Sequence, residues 1–244
     1  MPGRPLTWMN TMNDGQPVTR RPGFAVEVNA LWYNAVCYTL ELAGVCGDDA
    51  FVKEWIEMPE RIKDNFRATF WLEQNPQQPY LADYVYHDGE KNADIRPNML
   101  IACSLPYSPL NEYEQQKIFT VTETYLLTPR GLRTLSPNSP QYQGICRGNE
   151  HCRNTARHQG TVFPWLLEHY VRTGFRLYGK GYLMQAKELL GGFEEDLLNY
   201  GIGSVPEAYD GDAPHEACGA ISYAPSVAAL LQIHRMIRDS ERHS

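Results

Sequence analysis

The sequence predicts an all-α protein in which helices alternate with short and long loops. Apolar residues recur every three or four positions over most of the 244 residues, and no segment shows the two-residue alternation of a half-buried strand. Two long segments without periodicity, about residues 129–160 and 202–219, separate the later helices. This order favours helical hairpins packed side by side, with the long loops gathered at one end.

The first expected helices lie before residue 105. Residues 25–43 are apolar on almost every side, so we expect a helix that is buried on most faces and capped by Gly44. Residues 49–74 carry large apolar side chains at helical spacing, and Pro59 should kink or split this stretch. A short helix is expected at about residues 98–104.

The later helices are separated by proline and glycine residues. Ser108 and Pro109 are an N-cap and a first-turn proline for the next helix, which Pro129 should end. Gly201 should end a helix with a regular apolar stripe. These later helices are expected at residues 110–127, 161–178, 182–200 and 222–238.

Composition narrows the class of protein. With 43% hydrophobic and 21% charged residues, the chain suits a single globular unit, and we expect one domain over residues 1–244. A net charge of −7 without a Lys/Arg-rich run argues against nucleic-acid and membrane partners, and favours a neutral ligand. Neither a membrane span nor a signal-peptide core is recognisable.

The cysteines indicate a reducing compartment. All six are scattered without a CxxC pair, so free thiols in a cytoplasmic protein are expected. Cys146, His151 and Cys152 are close in sequence, but they lack the second ligand cluster of a metal site. We therefore expect neither a metal nor another cofactor.

Polar, aromatic and glycine residues crowd together in a few segments at the expected helix ends. Singly, each segment has an ordinary structural explanation, because tryptophans pack in cores, a histidine can cap a helix, and aspartates form glycine-containing turns. These segments are residues 6–10 with 17–20, 26–34, 95–98, 157–165 and 205–212.

Taken together, these segments resemble one family. Over about residues 6–233 the chain contains, in order, the strings TWMN, PVTxR, VEVNALWYNA, RPN, SLPYSPL, LLTPRGLRTLSP, HQGTVFPWL and PEAYDGDAPH. They resemble the glucosidase domain of glycogen-debranching enzymes, the amylo-α-1,6-glucosidases. The resemblance implies an (α/α)6 toroid of the six-hairpin, glucoamylase-like type. It also implies inverting hydrolysis of the single α-1,6-linked glucose at a branch stub.

The resemblance implies roles for particular residues. Glu207 matches the general base, and Asn10 stands at the general-acid position, where the family has Asp. An inverting glycosidase needs these two groups about 6.5–9.5 Å apart, which suits separate loops. The residues implied to contact sugar are Trp8, Arg20, Glu27, Asn29, Trp32, Arg96, Asn98, His158, Gln159, Trp165, Asp210 and Asp212.

Several departures from the family pattern leave the activity open. The amide of Asn10 cannot donate a proton usefully, and general-acid catalysis contributes about 10²–10⁴ in rate. Asp14 lies nearby and is an alternative acid. Arg157, Phe163, Asn154 and Pro225 stand where the family has Tyr, Trp, Asp and Trp. Three hypotheses therefore stay open: a debranching-type glucosidase, an α-glucan-binding domain without catalysis, and a hydrolase of another α-glucoside.

Length predicts an incomplete toroid. Twelve helices with their loops need more than 244 residues, and about seven helices are recognisable. We therefore expect the C-terminal half to two-thirds of the toroid, N-terminally incomplete. Upstream helices of the same protein or a second chain would cover the exposed apolar edge. The expected ligand is an α-glucan or oligosaccharide.

Overall fold

Helices dominate the structure, a computed structural model that describes residues 4–73 and 78–242. The all-α prediction is confirmed, and one-turn 3-10 helices at Pro164–Leu166 and Gly179–Tyr182 precede two of the α-helices. The α-helices are α1 (Val26–Cys46), α2 (Asp49–Trp55), α3 (Met58–Phe70), α4 (Asn98–Ser104), α5 (Glu112–Tyr125), α6 (Glu150–Arg157), α7 (Leu167–Tyr178), α8 (Leu183–Gly191), α9 (Glu194–Asn199) and α10 (Ala224–Arg242).

Short strands, which the sequence analysis missed, connect many of the helices. Each strand has two or three residues, too few for a two-residue alternation to be recognised. The strands are β1 (Met12–Asn13), β2 (Gln16–Pro17), β3 (Phe24–Ala25), β4 (Trp71–Leu72), β5 (Tyr80–Leu81), β6 (Tyr84–Val85), β7 (Leu127–Thr128), β8 (Gly131–Arg133), β9 (Val162–Phe163), β10 (Ala208–Tyr209) and β11 (Ala217–Cys218).

The described residues form two compact units. Residues 4–20, 94–97 and 119–242 make up the first unit, and the remaining described residues, within 21–93 and 98–118, make up the second. The assignment of one domain to residues 1–244 stays a prediction, and each unit is described by itself.

In the second unit, α1 differs from its prediction in two ways. It ends at Gly47, whose φ of 72° is the left-handed conformation that favours glycine in a C-cap, and Gly44 lies inside the helix. The expectation of burial on most faces is also wrong, because one face is buried and an apolar face is exposed. This face, the outer stripe of α1, consists of Val28, Leu31, Ala35, Tyr38, Leu42 and Val45.

The other helix boundaries of the second unit follow local chemistry. Pro59 lies in the first turn of α3, so the predicted split of residues 49–74 is confirmed, although residue 74 lies outside the described residues. The predicted cap at Ser108 is wrong, because Asn111 and Glu114 form a reciprocal capping box at the start of α5. The Glu114 N–H donates to Asn111 Oδ1 at 2.9 Å, and the Asn111 N–H donates to Glu114 Oε2 at 3.0 Å.

In the first unit, a five-stranded antiparallel sheet includes short strands from both expected long loops: β8 lies in residues 129–160, and β10 and β11 lie in residues 202–219. Its strand order is β11-β10-β9-β8-β7. Helix α6 also lies in the segment expected to be a loop, and its N-cap is Asn149, whose side chain accepts from the Cys152 N–H at 2.9 Å. The sheet and α6 together position the loops that carry the predicted site residues of this unit.

Helix α10 packs against both α7 and α8 in the first unit, and α5 packs on α7 through aromatic rings. Phe119 stacks on Tyr170 with ring centroids 4.4 Å apart, and the Tyr182 ring packs where a Cβ on Gly174 would clash with it. The helix predicted over residues 182–200 is two helices, α8 and α9, which are separated at Gly192. Within the part of the chain that the structure describes, no helix is long and apolar enough to cross a membrane.

Candidate active site

Glu207 lies immediately before β10 and is 7% exposed. Its backbone N–H donates to the Ala220 carbonyl at 2.8 Å, and the Ala220 N–H donates to Glu207 Oε2 at 3.0 Å. The other carboxylate oxygen, Oε1, accepts from Nη2 of Arg157 in an ion pair. The orientation of the carboxylate is therefore fixed by one donor at each oxygen.

Gly219 is required for this arrangement. Its φ of +76° favours glycine, and a Cβ at this position would lie 2.5 Å from Oε2 of Glu207. The backbone of residues 219–220 can thus approach the carboxylate only because residue 219 has no side chain.

The Arg157 guanidinium connects Glu207 to aromatic rings. It lies over the ring of Phe163, with 5.8 Å between its central carbon and the ring centroid. Phe163 contacts both His158 and Trp8, each with ring centroids 6.0 Å apart. The two departures from the family pattern at residues 157 and 163 are therefore neighbours in space.

Trp8 is the centre of this aromatic cluster. Its ring meets His158 edge-on at 5.2 Å and Trp165 edge-on at 5.0 Å, centroid to centroid. We call the four rings the Trp8 cluster: Trp8, His158, Phe163 and Trp165. Three of these residues were predicted to contact sugar, and the structure brings them together.

Arg96 and Gln159 form a buried polar network behind the cluster. Arg96 donates from Nη2 to Gln159 Oε1 at 2.6 Å, and from Nη1 to the His158 carbonyl at 2.6 Å and the Thr134 carbonyl at 3.1 Å. Gln159 also donates from Nε2 to Gln141 Oε1 at 3.1 Å. These contacts position residues 158 and 159, while direct sugar contact by Arg96 and Gln159 stays a prediction.

Asp210 and Asp212 contact the loop that precedes α6. Asp210 accepts from the Cys146 N–H at 2.7 Å and pairs with Arg147 at 3.1 Å. Asp212 accepts from the Tyr142 hydroxyl at 2.8 Å, and burial together with this hydrogen bond raises the pKa of Tyr142 to about 12. Both aspartates organise loops, and their predicted sugar contacts stay predictions.

Asn10 and Asp14 are both exposed near the start of the described chain. The Asn10 backbone N–H donates to the Trp8 carbonyl at 3.0 Å, so the chain turns between residues 8 and 10. Asp14 lies in the turn between β1 and β2, with its carboxylate 3.7 Å from the His151 ring. The roles of these residues as proton donors stay predictions.

The second unit holds Glu27, Asn29, Trp32 and Asn98. Asn29 donates from Nδ2 to the Ala25 carbonyl at 2.8 Å, and Trp32 is 52% exposed. Glu27 and Asn98 belong to a buried cluster around Arg21. Arg21 is not among the residues predicted to contact sugar.

Arg21 bridges two buried carboxylates. Its Nη1 and Nη2 lie 2.5 and 2.6 Å from the oxygens of Glu27, and its Nε lies 2.7 Å from Oδ2 of Asp83. Asn98 donates to Oδ1 of Asp83 at 2.7 Å. Burial alone would lower the pKa of Arg21, but Asp83 and Glu27 raise it above its ordinary value. Arg20, which was predicted to contact sugar, is exposed and donates to the Gln16 side chain at 3.3 Å.

The sequence matches one protein family over nearly its whole length. Residues 2–232 match the family described as amylo-alpha-1,6-glucosidase. The glycogen debranching enzyme of Saccharomyces cerevisiae is 26% identical in an alignment that covers 68% of this chain and 13% of the yeast protein. The chain therefore spans only a small part of that relative.

Solved structures show the same fold. Neutral trehalase Nth1 from Saccharomyces cerevisiae has a TM-score of 0.61 and 15% identity, over 88% of this chain and 40% of the trehalase. The GH63 mannosylglycerate hydrolase from Thermus thermophilus, solved with glucose, has a TM-score of 0.60 and 18% identity, over 86% of this chain and 47% of that protein. Both are (α/α)6 toroid glycosidases, which confirms the predicted all-α fold class of the (α/α)6 type. By its sequence, this chain belongs to the amylo-α-1,6-glucosidase family of glycoside hydrolases.

Proposed function

We propose that this chain forms part of an inverting glycoside hydrolase that removes α-1,6-linked glucose from branch stubs of glycogen or a related α-glucan. The observation that carries the proposal is the environment of Glu207. Its carboxylate is buried, has one protein donor at each oxygen, and is joined through Arg157 to the Trp8 cluster. Flat aromatic rings beside a fixed carboxylate suit a sugar ring and an attacking water.

In this mechanism Glu207 is the general base. Its carboxylate takes a proton from a water molecule while the water oxygen attacks the anomeric carbon on the face opposite the leaving group. The glycosidic C–O bond breaks, and the leaving oxygen needs a proton from an acid. Asn10 stands at the position of that acid and does not supply the proton, so Asp14, or an Asp introduced at residue 10, would have to donate it. Glucose is released with inverted configuration.

Asn10 favours a second candidate function, an α-glucan-binding domain with little or no hydrolysis. An amide can donate a hydrogen bond to the glycosidic oxygen, but it does not protonate a poor leaving group at neutral pH. The rest of the site would still bind glucose. The glucosidase and the binding domain should therefore differ in their rate of glucose release and have similar affinity for the α-glucan.

Asn10→Asp tests both candidates. If residue 10 is the acid position, the variant should release glucose from an α-1,6-branched limit dextrin about 10²–10⁴ times faster than the parent. Its affinity for the dextrin, measured by calorimetry, should be nearly unchanged. Glucose is measured by a coupled assay, and other α-glucosides tested in parallel identify a different substrate class.

Two further variants serve as controls. Asn10→Asp combined with Glu207→Gln should lose the gained turnover and keep dextrin binding. Asp14→Asn should leave any activity of the parent unchanged, unless Asp14 supplies the proton. Absence of a gain in Asn10→Asp, with dextrin binding intact, would contradict the glucosidase proposal and favour the binding domain.

We also propose that further helices complete the toroid, contributed by upstream residues of the same protein or by a second chain. Two observations support this. The chain corresponds to 40% and 47% of the two solved toroid glycosidases, and the outer stripe of α1 exposes apolar side chains. An exposed apolar stripe of this length is typical of a surface that binds another element.

A further inference from the structure

The two oxygens of the Glu207 carboxylate have different surroundings. Oε2 accepts from the Ala220 N–H at 3.0 Å, and a Cβ on Gly219 would lie 2.5 Å from it, so backbone packs closely against this oxygen. Oε1 accepts from Nη2 of Arg157. The Arg157 side chain is 38% exposed and the Glu207 side chain is 9% exposed, so the guanidinium is the more accessible partner of the pair. Arg157 therefore occupies the oxygen of Glu207 that the backbone leaves open.

A second contact holds the Arg157 guanidinium in this position. Arg157 is the last residue of α6, and the central carbon of its guanidinium lies 5.8 Å from the ring centroid of Phe163. A cation over an aromatic face is attracted to it, and this attraction adds to the ion pair. Phe163 is 3% exposed and contacts Trp8 and His158, so the ring beneath the guanidinium is itself fixed. Arg157 is thus held between Glu207 and the Trp8 cluster.

This position is unfavourable for hydrolysis in two ways. A general base must accept a hydrogen bond from the water whose proton it removes, and a guanidinium bonded to Oε1 competes with that water. The transition state of glycoside hydrolysis also resembles an oxocarbenium ion, so positive charge develops on the sugar ring. A guanidinium beside the base repels this charge.

We propose that Arg157 is an inhibitory residue of the candidate active site, whose guanidinium competes with the attacking water for Glu207 and repels the positive charge of the transition state. Hydrolysis then requires this ion pair to open. The proposal rests on the proposed function, in which Glu207 is the general base. It makes residue 157, in addition to residue 10, a position that limits glucose release by this chain.

The binding of two glucose analogues tests the proposal without any turnover. Deoxynojirimycin and the anhydroglucitol of the same configuration differ at one ring atom, which is a protonated nitrogen in the first and an oxygen in the second. Arg157→Met keeps an apolar side chain over Phe163 and removes the charge. We expect this variant to bind deoxynojirimycin about 10- to 100-fold more tightly than the parent, because the cation can then pair with Glu207. Its affinity for anhydroglucitol should be nearly unchanged.

Three further variants, measured by calorimetry at one ionic strength, isolate the cause. Arg157→Lys keeps the positive charge and should bind deoxynojirimycin nearly as weakly as the parent. Arg153→Met removes an exposed positive charge one helical turn earlier on α6, and it should change neither affinity. Arg157→Met combined with Glu207→Gln should lose the gain, because the carboxylate that pairs with the cation is then absent.

The outcomes distinguish the inhibitory role from the proposed function. If Arg157→Met binds anhydroglucitol but gains no affinity for deoxynojirimycin, Arg157 does not shield Glu207 and the inhibitory role is wrong. An equal gain in Arg153→Met would also overturn it, since net charge alone would then explain the effect. Failure of both analogues to bind the parent and every variant would contradict the proposed function, and the inhibitory role with it.

Turnover gives a second measurement whose sign decides. In the Asn10→Asp protein, adding Arg157→Met should raise glucose release from the branched limit dextrin by about 10- to 100-fold, because the competing hydrogen bond to a charged group is removed. Lower glucose release, with anhydroglucitol still bound, would show that Arg157 positions the base and does not inhibit it.

Discussion

Arg20 and Arg21 are adjacent in sequence and differ completely in their surroundings. Arg21 is buried between Glu27 and Asp83, and Arg20 is exposed. Replacing Arg21 with Met leaves two buried carboxylates without their cation, so we expect the free energy of unfolding to fall by about 3–5 kcal/mol. Arg20→Met should change it by less than about 0.5 kcal/mol. Urea unfolding of both variants measures the difference, and equal losses would show that the buried cluster does not stabilise the fold.

The site could be predicted from the sequence only where a motif fixes the residue. The string PVTxR ends at Arg21, and Arg20 stands at its variable position. The arginine that the motif specifies is therefore the buried Arg21, not the exposed Arg20. Asp83 has no such signal, because its side-chain partners are Arg21 and Asn98, and only folding brings them together. A single sequence contains no record of that proximity.

Arg157 illustrates the same limit at the candidate base. The sequence marks Arg157 and Phe163 as separate departures from the family pattern. The structure shows that they are in contact and that Arg157 also pairs with Glu207. The guanidinium of Arg157 pairs with one oxygen of the Glu207 carboxylate and lies over the Phe163 ring. The two departures therefore change the surroundings of this carboxylate together.

At the scale of elements, local rules predicted helices well and strands not at all. Pro59 split its helix as expected because the ring cannot continue a helix interior. The capping box at Asn111 was missed because Ser108 and Pro109 supplied an equally good local signal three residues earlier. In the five-stranded sheet, β9 pairs with β8 and with β10, which are distant from it in sequence, so no local rule could have joined these strands.

Helix α7 contains a histidine that should make stability depend on pH. Burial lowers the pKa of His169 to about 4, with Arg172 acting in the same direction and Glu168 opposing it. The ring also packs edge-on against Trp165 at 6.0 Å. Between pH 6.5 and pH 4 the unfolded chain binds a proton at this histidine and the folded protein does not. The free energy of unfolding should therefore fall by up to about 3 kcal/mol as the pH drops through this window.

His169→Gln measures this contribution. Urea unfolding at a series of pH values should show a smaller loss of stability on acidification in the variant than in the parent. His151→Gln, at an exposed position on α6, controls for the removal of a histidine as such. Parallel curves for the parent and His169→Gln would show that His169 is not responsible.

At the scale of the whole molecule, the comparisons and the surface of α1 lead to the same conclusion. The chain aligns with less than half of each solved toroid glycosidase, although most of the chain is covered. Helix α1 has 21 residues, and its outer stripe repeats at alternating spacings of three and four, the pattern of a helix that packs against another helix. This pattern supports the proposal that a further helix covers the stripe.

The outer stripe of α1 should make this chain associate when no other helix covers it. Leu31→Lys combined with Leu42→Lys introduces two charges into the stripe, so we expect weaker self-association in sedimentation velocity across a range of concentrations. Met184→Lys combined with Leu198→Lys is the matched control, because these side chains are also exposed and apolar but lie on α8 and α9. The control should sediment like the parent, because neither of its side chains belongs to the outer stripe of α1. If both double variants reduce association equally, general surface hydrophobicity causes the association, and the proposal that a further helix covers the stripe is contradicted.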